Sequence, residues 1–327
     1  MRGSVKGQVE ALWRHSGIDE IGHSKHQDKA AARAAGAVSS SEIGQQTGIH
    51  TFAAGDSYRP VWAGILKHAR EAYGVKDAEQ ITGEHVRSYL TERAEVGIAW
   101  NTLAKEAAAA NKLAVALNRW SEKVRGADAV RYSFAGDVKA VRSEFRDVLD
   151  RTTDNRAYSD PRALVGALER PEHQLVAALQ LDGKLRINEA SQIKASQLLG
   201  ERRDPYTGQM VGILHHVDAK GAKEADVPVR LDTYRALVNA VAAAGGTFRL
   251  GGDGAGRGHD EYRQALKAAA AATGQPYTGS HGLRYNGCQE RHAELVAAGA
   301  TFEAALQFCS GEMTHERIGI TRLYLGE

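Results

Sequence analysis

The sequence predicts a two-domain protein that is mainly α-helical and carries one small β-hairpin in its second half. Its 327 residues suffice for two domains that each bury a core of their own. Apolar residues recur at helical spacing through most of residues 57–149. Two short strand-like stretches, 211–217 and 226–229, flank the turn sequence KGAK at 220–223. Together these observations indicate a helical first domain and a mixed α/β second domain.

The first predicted domain covers residues 49–150 and consists of helices. An apolar stripe at helical spacing begins near Ser57. Thr82 is well suited to cap the next helix, because its hydroxyl can accept a hydrogen bond from a free backbone amide. Long helices over 101–124 and 137–149 complete this domain.

Residues outside this helical region have a different pattern. Residues 1–48 predict an N-terminal arm or extension, with one helix over 5–15 and little periodicity after it. The polar segment 151–160, followed by Pro161, predicts a linker. The second domain then covers 161–327. We interpret its glycine-rich stretch 250–258 as a flexible loop, since it lacks the spacing of a dinucleotide-binding fingerprint.

The composition excludes several classes of protein. Apolar stretches are too short to span a bilayer, and the N-terminal residues lack the apolar core of a secretion signal. The two cysteines cannot form a disulfide framework or a four-cysteine zinc site. The histidine pairs lack further metal ligands at a suitable spacing, so we expect no metal site. A cytoplasmic protein is the resulting expectation.

Charge gives only a local indication of the partner. The net charge of +2 does not by itself indicate nucleic-acid binding. Within residues 101–125, however, five basic residues face two acidic ones, an excess of three positive charges. A helix with this charge could be a solvated face or a surface that contacts nucleic acid. Its basic residues are Lys105, Lys112, Arg119, Lys123 and Arg125.

Two segments near the start of the second domain carry residues suited to phosphate chemistry. Arg186 and Glu189 lie three residues apart at a helix start and therefore share a helix face. A surface ion pair would explain them equally well. Lys220 lies at the tip of the predicted hairpin, where Gly221 relieves the turn, although many turns carry an exposed lysine.

Two further segments lie near the C-terminus. His281 and Arg284 are three residues apart at another helix start, and two such side chains on one face favour a shared anion. His315 and Tyr324 are nine residues apart, which on one straight helix would place them on opposite sides. A break near Gly319, with Thr321 as the next helix cap, could bring both to one site. The alternative for Tyr324 is a buried aromatic residue on a terminal helix.

In order, these four segments resemble the motifs of the tyrosine recombinases, the family of lambda integrase, Cre and the Xer proteins. GKLRINE resembles the pattern G-L-R-x-x-E, with Lys184 as an extra residue. AKGAKEADVP resembles the family's hairpin, although Ala225 replaces an arginine. SHGLRYNG matches H-x-L-R, and the last segment matches L-G-H with a tyrosine nine residues later, although Met313 and Thr314 replace the leucine and glycine.

The resemblance implies a site-specific recombinase or integrase that cleaves and rejoins DNA through a 3′-phosphotyrosine intermediate. Tyr324 would be the nucleophile, Arg186 and Arg284 would clamp the phosphate, and Lys220 would be the general acid. His281 and His315 would assist proton transfer or bind the phosphate. The arginines and the lysine supply positive charge, so neither a metal, ATP nor another cofactor is expected. The family precedent also implies a tetramer on two double-stranded DNA sites, and it is typical of mobile elements.

The first half resembles, more loosely, the family's SAM-like core-binding domain through YLTERAEVGIAWNTLAK. This resemblance implies that the basic helix contacts DNA through Asn101, Thr102, Lys105, Lys112 and Arg119. Two alternatives remain open for the whole chain. A type IB topoisomerase would use the same arginine, lysine and tyrosine chemistry without exchanging strands. A DNA-binding module with a decayed site would never form a covalent adduct.

Overall fold

The chain divides into two compact units, Met1–Thr152 and Thr153–Glu327. The fold is that of a computed structural model, which describes residues 3–150, 155–219, 223–251, 255–315 and 318–326. Side chains are described for these residues except 217–219, 223 and 255–257.

The first unit is helical throughout its described residues and is built around a single apolar core. Trp62 is fully buried in that core, and its indole Nε1 donates a hydrogen bond to the Ala109 carbonyl at 2.8 Å. The hydroxyl of Thr82 caps α5 as the sequence predicts, since it accepts from the His85 amide. The helices are α1 Val5–His15, α2 Lys25–Ala34, α3 Ser40–Gln46, α4 Phe52–Tyr73, α5 Gly83–Glu95, α6 Trp100–Arg125 and α7 Ala135–Glu144.

Residues 5–49 are part of this core, which differs from the expected extension. Helix α1 matches the predicted bounds, and its Val9 and Leu12 are buried in the core together with Ile49. Helices α2 and α3 were not predicted, because each buries only one apolar residue and so shows no periodicity. The prediction for α7 is too long at its C-terminal end.

The second unit combines helices with two small antiparallel sheets. One sheet has the order β2-β3-β4 and the other pairs β1 with β5. The elements are α8 Pro161–Gly166, α9 Pro171–Asp182, α10 Ile187–Ala190, β1 Gln192–Lys194, β2 Leu198–Arg203, β3 Met210–Ala219, β4 Lys223–Arg230, α11 Leu231–Ala243, β5 Thr247–Arg249, α12 Ala255–Ala272, α13 His281–Ala297, α14 Phe302–Glu312 and α15 Ile318–Leu325.

The predicted hairpin is confirmed as β3 and β4, with Leu214 opposite Val227 and His216 opposite Ala225. The expected fold class, mainly α with a small sheet, is therefore correct. Strands β1, β2 and β5 were missed because two are only three residues long and β2 is largely exposed. Such strands lack the apolar alternation on which the prediction depends.

Residues 155–160 of the expected linker are bound to the second unit. Tyr158 is buried in its core, and the Tyr158 amide donates to Asn286 Oδ1 at 2.8 Å. The Tyr158 hydroxyl donates to the Gly279 carbonyl at 3.1 Å, close to the start of α13. The polar composition of residues 155–160 led to the prediction of a linker, because Tyr158 is the one buried residue among them. Among the described helices, none combines the length and the apolar character needed to cross a membrane.

Candidate active site

Arg284 lies at the centre of the candidate site. It is on the first turn of α13, and its side chain is almost completely buried, with 1% exposed. Its Nη1 donates to the Lys184 carbonyl, and its Nη2 donates to the Met313 carbonyl at 2.9 Å. A guanidinium has five N–H donors, so hydrogens remain on both nitrogens for an anion. Two backbone carbonyls thus fix the plane of the group without neutralising its charge.

Both carbonyls belong to turns with left-handed backbone at a residue other than glycine. Lys184 has φ of 56°, and so does Thr314, which follows Met313. Left-handed backbone favours glycine, because a side chain there is strained. Neither turn has glycine at this position, so each accepts the strain of a side chain on left-handed backbone.

Glu189 links the two arginines that the sequence predicts as a pair. Its Oε1 lies 2.7 Å from Arg186 Nη1, and its Oε2 accepts from the Arg186 amide at 2.6 Å. The same oxygen lies 3.7 Å from Arg284 Nη1. Glu189 has 8% of its side chain exposed, whereas Arg186 has 27%. Arg186 is therefore held at its inner end and open to solvent at its outer side.

His216 is a further neighbour that the sequence did not suggest. It is buried on β3, and its Nε2 lies 3.4 Å from Glu189 Oε2. Burial alone would raise the pKa of Glu189, but hydrogen bonds from His216 and from Arg186 outweigh burial and lower it to about 2. Glu189 is thus ionised across the physiological range and offsets part of the positive charge around it.

Tyr324 and His281 are in direct contact. Tyr324 is buried on α15, and its hydroxyl lies 2.6 Å from His281 Nε2. The ring of Tyr285, another residue the sequence did not suggest, stacks on the Tyr324 ring with centroids 4.3 Å apart. Gln289 donates to the Tyr324 carbonyl at 2.8 Å. The backbone, ring and hydroxyl of Tyr324 are therefore each held by α13, which also carries Arg284.

His281 is neutral in this arrangement. Burial, followed by the positive charges of Arg284 and Arg156, lowers the pKa of His281 to about 4. A neutral imidazole can accept a proton from the Tyr324 hydroxyl, whereas a charged one could not. Burial and the charge of Arg186 also lower the pKa of Arg284, but a guanidinium keeps its proton at neutral pH.

The predicted break between His315 and Tyr324 is present, but it lies earlier than expected. Helix α14 ends at Glu312 and α15 begins at Ile318, so Gly319 and Thr321 are inside α15. Thr321 does not cap the helix; its hydroxyl instead lies 2.8 Å from His315 Nδ1. His315 Nε2 lies 3.5 Å from Arg284 Nη2, and its ring centroid lies 5.2 Å from that of Tyr324. The structure thus brings His315, Arg284 and Tyr324 together.

The predicted Lys220 lies outside the described residues. Strand β3 ends at Ala219 and strand β4 begins at Lys223, so Lys220 lies between the two strands in the sequence. His216 is on the same hairpin and contacts Glu189, which places the described part of β3 beside the site.

The residues of α6 that were expected to contact DNA lie in two different environments. Lys112 is mostly buried, and its amine donates to the carbonyls of Gly44, at 2.6 Å, and Thr47. Burial lowers its pKa to about 8. Arg119 donates to the Gly17 carbonyl and pairs with Glu20 at 2.8 Å. The prediction that these two residues contact DNA is not supported, because both fasten residues 17–47 to α6.

The other predicted contacts of α6 lie in its first two turns. Asn101 and Lys105 are exposed, and Thr102 is partly exposed. They follow Trp100, which begins the helix. These three side chains remain accessible to a partner.

Within the described residues, one group of possible metal ligands comes together in the first unit: Glu20, Asp28 and His50. The Glu20 carboxylate already accepts from the Gly48 amide at 2.6 Å and pairs with Arg119. His50 Nε2 lies 2.7 Å from Asp28 Oδ2. Because hydrogen bonds occupy these ligand atoms, we interpret the group as a fastening of the N-terminal segment.

No protein-family model and no curated protein matches the sequence. Solved structures, in contrast, do match. A lambda integrase dimer bound to a COC′ core site is similar with a TM-score of 0.53 and 15% identity, over 87% of this chain and 92% of that one. The Tn1549 transposon integrase in complex with transposon right end DNA is similar with a TM-score of 0.52 and 15% identity, over 91% of this chain and 93% of that one.

Both similarities extend over most of this chain and most of the neighbour's chain. At this level of identity the similarity is one of fold. The chain has the fold of the tyrosine recombinases, the family that its motifs resemble.

Proposed function

We propose that this protein is a site-specific DNA recombinase that cleaves and rejoins DNA through a covalent bond between Tyr324 and a 3′-phosphate. The contact between the Tyr324 hydroxyl and His281 Nε2, at 2.6 Å beside the buried Arg284, is the observation that carries the proposal. A tyrosine hydroxyl needs a base to become a nucleophile, and neutral His281 is in position to be one.

In the first step, the Tyr324 oxygen attacks phosphorus as its proton passes to His281. The bond from phosphorus to the 5′-oxygen breaks, and that oxygen takes up a proton. Arg284 and Arg186 stabilise the negative charge that builds on the non-bridging oxygens, Arg284 from a fixed position and Arg186 from the solvent side. One phosphodiester replaces another of similar energy, so the step is reversible without ATP. The arginines and the lysine supply the positive charge that a metal ion gives in other enzymes.

His315 has a separate role in this proposal. Thr321 holds its Nδ1, which leaves Nε2 directed to Arg284 and to the phosphate beside it. It would donate a hydrogen bond to a non-bridging oxygen. Lys220, on the connection between β3 and β4, would protonate the leaving 5′-oxygen, with Lys223 and His281 as the next candidates.

A substrate with sulfur in place of the bridging 5′-oxygen tests these roles. A thiolate leaves with little need for a proton, so Lys220→Ala should be nearly inactive on ordinary DNA and recover most of its cleavage on the sulfur substrate. Arg284→Ala should lose on the order of 10² or more in rate on both substrates, because the non-bridging oxygens are unchanged. Equal rescue of both variants, or of neither, would show that the general acid is assigned wrongly.

We further propose that the first unit binds the DNA backbone through a groove that the sequence did not reveal. The groove has a volume of about 730 Å³ and includes the start of α6 and one face of α7. Lys139, Arg142 and Arg146 line it and are exposed, and the guanidinium of Arg142 lies 5.5 Å from the centre of the Trp100 ring. The described residues that line the groove include no carboxylate.

A groove of one charge suits a phosphate backbone, which recruits lysine and arginine irrespective of base sequence. Asn101 and Lys105, which are exposed, and Thr102, which is partly exposed, follow Trp100 on α6 and extend the same polar surface. We therefore propose that these three residues contact DNA and that Lys112 and Arg119 do not. Strand exchange would need two DNA sites, and we propose four protomers for the assembly on the family precedent.

A further inference from the structure

Lys184 combines three features that each lower the stability of the fold. Its side chain is 1% exposed, its backbone is left-handed with φ of 56°, and it carries a charge. A glycine would adopt this backbone without strain, so the backbone alone gives no reason for a lysine here. The reason must lie in the contacts of its side chain.

The side chain crosses from one turn of the site to the other. Lys184 Nζ lies 3.2 Å from Glu312 Oε2 and donates to the Asp182 carbonyl at 3.2 Å. Glu312 ends α14 and directly precedes Met313. The Lys184 and Met313 carbonyls are the two that hold Arg284. One ion pair therefore joins the two turns whose carbonyls fix the arginine.

We propose that Lys184 is a positioning residue for Arg284, which acts through the Lys184–Glu312 ion pair and touches no part of the DNA. This inference rests on the proposed function, in which Arg284 stabilises the charge on the phosphate. The ion pair keeps the two turns at a fixed separation, and the plane of the guanidinium follows from that separation. Charge stabilisation in a buried site depends on such fixed geometry, and displacements of about 1 Å can cost 10²-fold in rate.

Close packing against α13 supports this role. A Cβ placed on Gly287, one turn beyond Arg284, would lie 1.9 Å from the Leu181 carbonyl oxygen and 3.1 Å from Lys184 Cγ. The aliphatic part of Lys184 therefore packs directly against the helix that carries Arg284. Both the stem and the ammonium of this lysine hold the arginine in place.

The neighbouring charges should allow the Lys184 ammonium to be removed without unfolding the site. Glu312 also accepts from Arg291 Nη2 at 2.9 Å, and Arg291 Nη2 lies 2.7 Å from Asp204 Oδ2. Removing the Lys184 ammonium therefore leaves no buried carboxylate without a cation. We expect Lys184→Met to fold, since methionine keeps much of the stem.

The experiment compares covalent cleavage and DNA binding for four variants. Lys184→Met removes the charge, Lys184→Gly removes the side chain but accepts the left-handed backbone, and Lys184→Arg keeps the charge. Arg263→Met is the control, because Arg263 pairs with Asp260 at 2.7 Å, both side chains are exposed, and their helix α12 carries neither of the carbonyls that hold Arg284. Cleavage is measured in single turnover at saturating DNA, binding by titration, and the folded fraction by circular dichroism.

We expect the cleavage rate of the methionine and glycine variants to fall at least about tenfold, with the DNA dissociation constant within about twofold of wild type. The arginine variant should regain part of the rate, and Arg263→Met should keep all of it. Wild-type cleavage by either the methionine or the glycine variant would overturn the proposal, as would a rate that falls only with the folded fraction. Absence of any adduct from the wild-type protein would instead contradict the proposed function itself.

Discussion

Replacing Glu189 by glutamine tests the electrostatics of the site most sharply. The substitution keeps the shape of the side chain and removes one negative charge. Glu189 is 8% exposed, and the buried Arg284 guanidinium is 3.7 Å away. Loss of one partner of a buried charge pair costs about 3–5 kcal/mol, because the other charge remains buried.

The shift in the pKa of Glu189 gives a similar free-energy cost. The pKa of Glu189 falls from 4.5 to about 2 in the folded chain, and each unit of such a shift corresponds to about 1.4 kcal/mol. The ionised carboxylate therefore contributes about 3 kcal/mol to stability. Because the folded-state pKa is the lower one, this contribution is complete above pH 4.5 and is lost as pH falls towards 2. We expect Glu189→Gln to be about 3 kcal/mol less stable at pH 7 and the difference to shrink below pH 4.5.

The assay is urea unfolding followed by two signals. The four tryptophans all lie between residues 13 and 120, so their fluorescence follows the first unit. Far-UV circular dichroism follows the unfolding of both units. A transition seen by circular dichroism but not by fluorescence therefore reports the second unit. Glu201→Gln is the control, because Glu201 pairs with Arg235 at 2.7 Å on the surface and should leave the midpoint nearly unchanged. Equal shifts for the two variants, or a difference at pH 3 as large as that at pH 7, would contradict this electrostatic explanation.

Two further changes give independent tests. Thr314→Gly should stabilise the second unit by about 1 kcal/mol, since it relieves left-handed strain and removes a buried hydroxyl that has no hydrogen-bond partner among the described residues, against the entropy cost of glycine. Thr314→Ala keeps the strain, and urea unfolding should therefore rank it below glycine; the reverse order would contradict the strain. Replacing Lys139 and Arg142 by alanine should weaken DNA binding for all sequences and make the slope of log affinity against log salt about two units shallower. Alanine at Arg14 and Lys67, each of which pairs with a glutamate one turn away on its own helix, removes the same charge and should leave that slope unchanged.

The sequence predicted most helices because burial on one face leaves a periodic signal. Helix α1 and the cap at Thr82 were placed correctly for this reason. The roles of Lys112 and Arg119 could not be predicted, since their partners are backbone carbonyls more than 60 residues away. Charge counted along a helix does not show whether a lysine points to solvent or to its own chain.

The sequence predicted which four residues would meet at the site, but it did not predict the contacts that hold Arg284 in place. His281, Arg284, His315 and Tyr324 meet as their motifs indicate, because helix starts and the break before α15 bring them together. The contribution of Lys184 depends on a left-handed backbone and a buried ion pair. Neither leaves a pattern in the sequence, and the lysine therefore resembled an insertion.

Covalent trapping on a nicked substrate tests whether Tyr324 forms the bond to DNA. After cleavage, the short strand that carries the 5′-hydroxyl diffuses away, so the protein stays attached to DNA and is counted on a denaturing gel. Tyr324→Phe removes only the hydroxyl, and Tyr285→Phe is the matched control, because its ring stacks on Tyr324 at 4.3 Å. In excess EDTA, we expect an adduct for the wild-type protein and Tyr285→Phe, and none for Tyr324→Phe, with DNA affinity unchanged in all three. An adduct of normal yield from Tyr324→Phe would contradict it.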